Sequence, residues 1–280
     1  MNQLIKIKVG IIGQGFVGNA VRHRMEKYFE VFYYDKDPNK ESNVDSIYSV
    51  QDNSDVVFLC VPTPMKKTGE CDTSIIEMLL SQLNNKPTTV IIKSTIPPGT
   101  TEAFIKTYTN ISIVFNPEFL TEANAINDYN NQKRIILGMT KNIESVISVF
   151  DVSFPLADII IINPTSAEMV KYITNTFLST KISFANEMYQ ICEMLNISYD
   201  TVMNTALHDE RLGKSHWRVP GLDGDFGYGG HCFPKDISAL KFHANKNGVP
   251  TQVLDAVIDK NDQVRRNRDW EKQIGRAVSE

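Results

Sequence analysis

The chain has 280 residues, of which 42% are hydrophobic and 22% charged, and its formal net charge at pH 7 is −4. This length favours two domains over one, and the hydrophobic content is ample for packed cores. The slightly acidic balance excludes the strongly basic surface with which proteins bind nucleic acids or anionic membranes, so neither is expected as a partner.

The first half of the chain alternates short apolar runs with longer, helix-like stretches. The runs are rich in Val, Ile and Phe with little period-two alternation, as is typical of parallel strands buried on both faces. A crossover helix is predicted over 16–29, and the whole series predicts a Rossmann-type, doubly wound parallel α/β sheet. The predicted strands cover residues 7–12, 31–35, 55–61, 89–94, 111–115 and 134–138.

After the apolar run 159–162 the pattern changes. From Ser166 to about Leu195 there is no Gly or Pro, and apolar residues recur at helical spacing. This stretch predicts a long central helix on which a second, helical domain is built. We place the boundary so that the α/β domain covers 1–163 and the helical domain 164–280.

The helical domain is predicted to contain a glycine-rich functional loop over 212–230, because structureless loops of that length are otherwise uncommon. Two further helices are predicted over 234–247 and about 250–278. Arg265 and Arg266 lie among acidic residues in the second of these helices. We interpret this pattern as a solvated helix face.

The four cysteines show no CxxC spacing and the five histidines no metal-like spacing, so neither a metal site nor a redox dithiol is expected. Residues 1–8 alternate apolar and charged residues, as at the start of a strand, and lack the continuous apolar segment of a signal peptide. No apolar run approaches the roughly 18 residues that span a bilayer. These features predict a cytoplasmic protein with reduced thiols.

A G-x-G-x-x-G motif formed by Gly13, Gly15 and Gly18 follows the first predicted strand and opens a helix at Phe16 and Val17. In that context the glycines allow a tight turn, close approach of a pyrophosphate, and packing of helix on strand. Asp35, at the end of the next strand, would accept hydrogen bonds from both ribose hydroxyls and repel a 2′-phosphate. The motif therefore predicts NAD, rather than NADP, as cofactor.

Residues 227–236 (Gly-Tyr-Gly-Gly-His-Cys-Phe-Pro-Lys-Asp) form the most informative segment. Pro234 suits the first turn of a helix, which would leave Cys232 just ahead of the helix N-terminus and near Lys235. Both features favour the nucleophilic thiolate. Asp236 could orient a water molecule or accept a proton. On the long helix, Lys171 and Asn175 stand at i and i+4 and share a face, where they could hold a developing oxyanion.

Residues 227–236 resemble the active-site loop of the UDP-glucose/GDP-mannose dehydrogenase family. Other segments resemble the same family in the same order, so the resemblance extends over nearly the whole chain. These segments are 13–18, 61–64, 94–95, 116–122, 167–175 and 209–213.

The resemblance implies that the chain oxidises a nucleotide sugar with NAD, UDP-glucose to UDP-glucuronate being the first expectation. In that scheme Cys232 attacks an aldehyde intermediate, and the resulting thiohemiacetal is oxidised to a thioester. Lys171 and Asn175 would stabilise the oxyanions, Asp236 with Thr95 would hold the hydrolytic water, and Glu118 would assist hydrolysis. The family pattern further assigns cofactor contacts to Thr63, Thr95, Glu122 and Lys235, and substrate contacts to Glu118, Phe119, Leu120, Lys171, Asn175, Arg211, Tyr228 and Gly229.

The resemblance also implies a homodimer built on the central helices, with Arg211 reaching across it to the sugar nucleotide. Three features depart from the family pattern. The family usually carries a C-terminal third domain that helps to bind the nucleotide, and we expect this chain to stop instead in a charged helix at Glu280. Ala123 stands where the family has Gly, and residues 220–225 precede the active loop with an unusual sequence that could reshape the sugar pocket.

Two other functions remain open at this point. A two-domain β-hydroxyacid dehydrogenase would suit the length and also uses a Lys and an Asn four residues apart, but it performs one hydride transfer without a cysteine. A non-catalytic protein that binds NAD or a nucleotide is the other alternative. Cys232 in its glycine-rich setting favours the nucleotide-sugar dehydrogenase over both.

Overall fold

The computed structural model of the chain describes residues 7–279. Residues 1–6, and with them most of the alternating N-terminal stretch, lie outside the described residues, as does Glu280. The chain divides into two compact units: unit 1 comprises Met1–Thr63 and Thr73–Lys171, and unit 2 comprises Pro64–Asp72 and Tyr172–Glu280. The domain assignment 1–163 and 164–280 stays a prediction.

Within the described residues, seven strands of unit 1 form one sheet with the order β2-β1-β3-β4-β5-β6-β7. The first five strands in chain order are mutually parallel. Each is four or five residues long and is dominated by β-branched or aromatic side chains, which suit a buried, pleated surface. The strands are β1 (Lys8–Ile12), β2 (Glu30–Tyr34), β3 (Val56–Leu59), β4 (Thr88–Ile92), β5 (Ile111–Phe115), β6 (Arg134–Gly138) and β7 (Asp158–Ile162).

Two hydrophobic cores cover the two faces of this sheet. Alternate residues of β3 lie on opposite faces of the sheet, so Val56 and Phe58 belong to one core and Val57 and Leu59 to the other. Helices on both faces explain why these strands lack period-two alternation. The predicted doubly wound fold, followed by a helical region on a long helix, is thus confirmed. The helices of unit 1 are α1 (Phe16–Met25), α2 (Ile47–Asp52), α3 (Ser74–Leu83), α4 (Thr100–Thr107), α5 (Ala125–Asn130) and α6 (Glu144–Ser153).

The direction of β6 differs from the prediction. It pairs antiparallel with β5 through Phe115 and Gly138, and β7 is parallel to β6. The prediction of a parallel strand over 134–138 was wrong because it rested on continuous hydrophobicity. A strand that is covered on both faces has the same composition whichever way it runs. The predicted crossover helix over 16–29 also ends earlier, at Met25.

Helix α7 (Pro164–Met194) is 31 residues long and continues from unit 1 into unit 2. It confirms the long helix predicted from Ser166 to about Leu195. The other helices of unit 2 are α8 (Tyr199–Ala206), α9 (Cys232–Lys246) and α10 (Gln252–Val264).

The prediction of a last helix over about 250–278 is wrong beyond Val264, where the helix ends. Arg265 leaves the helix with extended backbone, and a short 3-10 turn at Asp269–Lys272 follows. Residues 277–279 then pair with Met65, whose N–H donates to the Ala277 carbonyl oxygen at 2.8 Å and whose carbonyl oxygen accepts from the Ser279 N–H at 2.9 Å. Across residues 7–279, no helix combines the length and apolar character required to cross a membrane.

Candidate active site

The glycine motif forms a tight turn between β1 and α1. Gly13 has φ +96°, and a Cβ there would lie 2.4 Å from the Cys60 carbonyl oxygen. A Cβ on Gly18 would lie 1.9 Å from the Gly13 carbonyl oxygen, so both positions require glycine. A Cβ on Gly15, in contrast, would meet nothing within 4 Å. The backbone at Gly15 is therefore open to a close-fitting ligand, as the pyrophosphate of a dinucleotide requires.

Helix α1 begins directly after this opening. Gly15 is its N-cap and has no side chain that could cap the first turn, where Phe16 and Val17 stand. The positive end of the helix dipole therefore faces the open side of the turn. Asp35 follows β2 and is fixed by two backbone donors: its Oδ2 accepts from the Gln14 N–H at 2.6 Å and its Oδ1 from the Asp37 N–H at 2.9 Å. The turn, the helix end and the carboxylate fit NAD.

The loops after β3 and β4 are joined by hydrogen bonds. The Thr63 hydroxyl donates to the Thr95 carbonyl oxygen at 2.7 Å, and the Ser94 hydroxyl donates to the Val61 carbonyl oxygen at 2.6 Å. Thr63 and Thr95 are both buried. These loops lie at the carboxyl ends of neighbouring parallel strands, where open α/β sheets bind their ligands. The two predicted threonines are thus brought together in unit 1.

Glu168 holds the end of the loop that carries Thr95. This fully buried side chain of α7 accepts from the N–H of Gly99 at 2.6 Å and from the N–H and hydroxyl of Thr101 at 2.7 and 2.6 Å. The carboxylate therefore caps the first turn of α4 from outside that helix. Burial raises the pKa of Glu168 to about 7, although its three hydrogen bonds act in the opposite direction.

Glu118 and Lys171 form a buried ion pair in unit 1. The Lys171 Nζ donates to the Glu118 carbonyl oxygen at 2.6 Å and to its Oε1 at 3.0 Å, and the Leu120 N–H donates to Oε2 at 2.8 Å. Burial alone would raise the pKa of Glu118, but Lys171, the Leu120 N–H and Lys93 together hold it below its ordinary value. Glu118 is therefore a carboxylate kept ionised at low exposure.

Lys93 is a buried cation that the sequence analysis did not single out. Its Nζ donates to the Asn116 Oδ1 at 2.7 Å, and the Asn116 Nδ2 donates to the Ile136 carbonyl oxygen at 2.8 Å. Burial lowers the pKa of Lys93 to about 8, with Cys60 and Glu118 opposing the change. The position of this lysine, directly before Ser94 and at the end of a buried apolar strand, could have indicated from the sequence that its charge is buried.

The rest of the 116–122 segment lies more open. Phe119 and Leu120 are half-buried, and the Lys171 Nζ lies 5.4 Å from the centre of the Phe119 ring. Glu122 is exposed in a short 3-10 turn, Glu122–Asn124. The cofactor contact assigned to Glu122 stays a prediction, as do the substrate contacts of Phe119 and Leu120.

Cys232 is the first residue of α9, with His231 as the N-cap. The prediction that it lies just ahead of the helix is wrong by one position, because the helix begins two residues before Pro234. The thiol keeps the two features that favour a thiolate, a helix N-terminus and a nearby lysine. Of the four cysteines, Cys232 alone is partly exposed, while Cys60, Cys71 and Cys192 are buried.

Lys235 and Asp236 form a buried ion pair one turn into α9. The Asn175 Nδ2 donates to the second carboxylate oxygen of Asp236 at 2.6 Å. Burial alone would lower the pKa of Lys235, but Asp236 and the thiols of Cys232 and Cys71 outweigh it and raise the pKa. The predicted residues Asn175, Lys235 and Asp236 are thus brought together in unit 2.

Lys171 and Asn175 have different partners, although they stand one turn apart on α7 as predicted. Lys171 contacts Glu118 within unit 1, and Asn175 contacts Asp236 within unit 2. The i and i+4 spacing predicted that the two residues share a face of the helix, but it could not predict which carboxylates they bind. Each of these two side chains fixes one acidic residue of the predicted site.

The predicted substrate residues of unit 2 differ in exposure. The Tyr228 side chain is buried and packs against Phe233, with ring centres 6.2 Å apart. Arg211 is exposed and forms an ion pair with its neighbour Asp209. Gly229 lies within the glycine-rich segment that leads to Cys232. The roles of these three residues in binding substrate stay predictions.

The burial of Arg265 differs from the prediction. Its side chain is 2% exposed and forms ion pairs with Asp223 and Asp269 at 2.6 and 3.0 Å. The prediction of a solvated face at Arg265-Arg266 is therefore wrong for Arg265, although Arg266 is exposed. Asp269 is only four residues away, but Asp223 is brought to Arg265 by the fold, so the local charge pattern did not indicate that this arginine is buried.

Comparison with known proteins assigns both parts of the chain to one family. Two domain models of the UDP-glucose/GDP-mannose dehydrogenase family match: the NAD binding domain over residues 42–151 and the central domain over residues 165–263. A UDP-glucose 6-dehydrogenase of Bacillus subtilis is 35% identical over 76% of this chain and 47% of its own length. One from Rickettsia bellii is 34% identical over 75% of this chain and 49% of its own length. The chain thus spans about half the length of these curated relatives.

Solved structures agree with this assignment. The UDP-glucose dehydrogenase of the archaeon Pyrobaculum islandicum is 25% identical, has a TM-score of 0.84, and is matched over 94% of this chain and 69% of that chain. A 3-hydroxyisobutyrate dehydrogenase of Mycobacterium tuberculosis shares the fold at 14% identity and a TM-score of 0.74, over 92% of this chain and 94% of that chain. The sequence matches and the NAD-binding geometry together show that this chain belongs to the UDP-glucose/GDP-mannose dehydrogenase family.

Proposed function

We propose that the chain catalyses NAD-dependent oxidation of the primary alcohol of a nucleotide sugar to a carboxylate, through a covalent intermediate on Cys232. The observation that carries this proposal is the setting of Cys232: a partly exposed thiol in the first turn of α9, close to the buried Lys235. A helix N-terminus and a neighbouring cation are the features that activate a cysteine nucleophile.

The covalent step begins after a first oxidation has produced an aldehyde. The Cys232 thiolate would add to the aldehyde carbon, forming a C–S bond while the π bond of the carbonyl breaks, and the resulting oxyanion would take up a proton to give a thiohemiacetal. A second oxidation removes hydride from the same carbon and leaves a thioester, and water then cleaves the C–S bond to release carboxylate and thiol. NAD, held at the turn over residues 13–18 and by Asp35, would supply the hydride acceptor for both oxidations, so two NADH are expected for each product acid.

Polar residues in each of the two units suit the supporting roles that the family resemblance implies. Asp236 is fixed by Asn175 and Lys235, which supports a role in holding the hydrolytic water. Lys171 offers a buried cation for a developing oxyanion, and Glu118 a buried carboxylate that could assist hydrolysis. The water-holding role of Thr95 rests on the family resemblance.

UDP-glucose is the substrate that we propose. The Bacillus and Rickettsia relatives bear the name UDP-glucose 6-dehydrogenase. Other nucleotide sugars are tested in parallel, because solved structures that share the fold include a GDP-mannose dehydrogenase from Pseudomonas aeruginosa and a UDP-D-ManNAc dehydrogenase from Pyrococcus horikoshii.

We also propose that the chain forms a homodimer through the exposed apolar side chains of α7. Ile173, Phe177, Phe184 and Ile191 are 55%, 62%, 50% and 40% exposed. They are spaced at four and seven residues, so they form one stripe along the helix. Apolar stripes of this kind are covered in helix pairs, and a second copy of the chain would present the same stripe.

The test is a screen for NADH release with UDP-glucose, GDP-mannose and N-acetylated UDP-sugars. Two NADH per product acid are expected, whereas one NADH per turnover would support a β-hydroxyacid dehydrogenase. NAD binding without NADH release from any sugar would support a non-catalytic protein.

Cysteine variants test the covalent step. Cys232→Ala and Cys232→Ser should lose the second oxidation, whereas Cys192→Ala, at a buried cysteine, should keep both. Intact-mass spectrometry of the native chain with NAD and the substrate should detect an adduct on Cys232. Complete acid formation by either Cys232 variant would contradict the thioester route.

A further inference from the structure

Three residues at the end of α10 and beyond it contact three consecutive residues of the glycine-rich loop before Cys232. The first pair is Asn261 and Tyr228. The Asn261 Oδ1 accepts from the Tyr228 N–H at 2.7 Å, and its Nδ2 donates to the Tyr228 carbonyl oxygen at 3.1 Å. The buried amide therefore binds both polar backbone groups of one loop residue.

The second and third pairs involve Arg265 and Asp269. A Cβ on Gly229 would lie 2.1 Å from the Arg265 Nη2 and 2.4 Å from the Asp269 Oδ1, so the ion pair lies directly against the loop backbone. The Gly230 N–H donates to the Asp269 carboxylate at 3.2 and 3.0 Å. Asn261, Arg265 and Asp269, hereafter the support residues, thus contact Tyr228, Gly229 and Gly230 in order.

Arg265 also fixes the loop segment that precedes the glycines. Its guanidinium pairs with Asp223 at 2.6 Å, and its Nη1 lies 3.5 Å from the Phe226 carbonyl oxygen. Asp225 accepts from the N–H groups of Arg266 and Asn267 at 3.2 and 2.8 Å. One buried guanidinium therefore joins the unusual 220–225 segment to the loop that ends at Cys232.

Glycines make this loop flexible, so an external contact is required to hold it in one conformation. We propose that Arg265 and Asp269, together with Asn261, are positioning residues that set the backbone at Gly229 and Gly230 and thereby the place of the Cys232 thiol. This inference rests on the proposed function for its catalytic consequence. Its structural part, that the support residues control the reactivity of Cys232, can be tested without any substrate.

The test compares Arg265→Gln and Asp269→Asn with Arg268→Gln as the matched control. Arg268 also pairs with two acids, Asp262 and Glu271, but its side chain is 42% exposed. The first readout is the rate of iodoacetamide labelling of Cys232 in the folded protein, followed by mass spectrometry across pH 6–9. Labelling is selective because the other three cysteines are buried.

We expect Arg265→Gln and Asp269→Asn to change the labelling rate on the order of tenfold, since thiolate reactivity depends on the local geometry of the helix N-terminus. With the active nucleotide sugar, kcat should fall on the order of a hundredfold, because a small misplacement of the reacting groups lowers the rate by about this factor. The KM for NAD should change far less than kcat, because the glycine turn and Asp35, which we expect to bind the dinucleotide, lie in unit 1. Arg265→Lys should recover part of both losses, and Arg268→Gln should match the native protein.

A purely structural role predicts another result. Both variants would then unfold at a lower temperature yet, below that temperature, label and turn over like Arg268→Gln, and this outcome would overturn the proposal. If Arg265→Gln does not fold, Asp269→Asn, which keeps the size of the side chain, decides alone. If the native chain oxidises no nucleotide sugar, the proposed function fails, while the labelling rates still decide the role of the support residues.

Discussion

Replacing Lys171 with Met should destabilise unit 1. It should also reverse the effect of Glu118 ionisation on stability, from stabilising to destabilising. Both side chains of the pair are nearly buried, at 3% and 7% exposure. Removing one partner of such a pair leaves an uncompensated charge in the interior, which costs about 3–5 kcal/mol of unfolding free energy. Met is close in length to Lys, so the loss of charge dominates over the loss of volume.

The sign of the pH dependence follows from Glu118. In the native chain its pKa lies below the ordinary value, so its ionisation contributes stability above the unfolded pKa, and this contribution is lost as pH falls through the folded pKa. In the variant, burial outweighs the remaining contacts and the pKa should rise. The variant should then lose stability as pH rises through the acid range, and its deficit against the native chain should be larger at pH 7 than at pH 4.

Urea unfolding at both pH values measures this difference. Far-UV circular dichroism follows the whole chain, whereas both tryptophans, Trp217 and Trp270, lie in unit 2 and report on that unit by fluorescence. Lys86→Met is the control, because Lys86 pairs with Asp52 at the surface and such pairs contribute about 0–1 kcal/mol. A loss for Lys171→Met no greater than that of Lys86→Met, or an equal deficit at both pH values, would refute the reasoning.

Four further predictions concern other positions in the chain. Gly15→Ala should keep the free energy of unfolding within about 1 kcal/mol but weaken NAD binding by calorimetry, because its Cβ opens into space that the pyrophosphate would fill. Gly18→Ala should destabilise the fold itself, since its Cβ would lie 1.9 Å from a backbone oxygen. Glu168→Ala leaves the N–H of Gly99 and the buried N–H and hydroxyl of Thr101 without their carboxylate and should cost about 3 kcal/mol or more in urea unfolding. Phe177→Glu should shift the chain from dimer to monomer in light scattering, while Val253→Glu, at a residue of α10 that is 68% exposed, should leave the dimer intact.

The parts of this protein that could be predicted from sequence are those governed by neighbours in the chain. The turn at Gly13 and Gly18 requires glycine because a Cβ would overlap backbone a few residues away or on the adjacent strand. The long helix α7 could be predicted because its apolar residues repeat at helical spacing and the stretch contains no Gly or Pro after Pro164. The direction of β6 could not be predicted, because a strand covered on both faces has the same composition whichever way it runs.

The end of α10 illustrates the same limit. Between residues 251 and 274 the chain has no Gly or Pro, so nothing local signals that the helix stops at Val264. It stops where Arg265 turns into extended backbone and its guanidinium meets Asp223, Asp225 and Asp269. Two of these acids belong to the loop before the glycines, and charge patterns along the chain cannot show that they meet an arginine so far away in sequence.

The same reasoning explains why the predicted site residues cannot be treated as catalytic groups alone. Lys171 binds Glu118, and Asn175 binds Asp236, so α7 carries one member of each of two buried polar pairs. Because a buried polar group without its partner is costly, a substitution at any of the four removes a stabilising contact as well as a proposed chemical role. A loss of activity is therefore informative only when unfolding is measured on the same variant. The double variant Lys171→Met/Glu118→Gln separates the two effects: it removes both charges together, so it should recover stability lost by Lys171→Met while leaving turnover impaired.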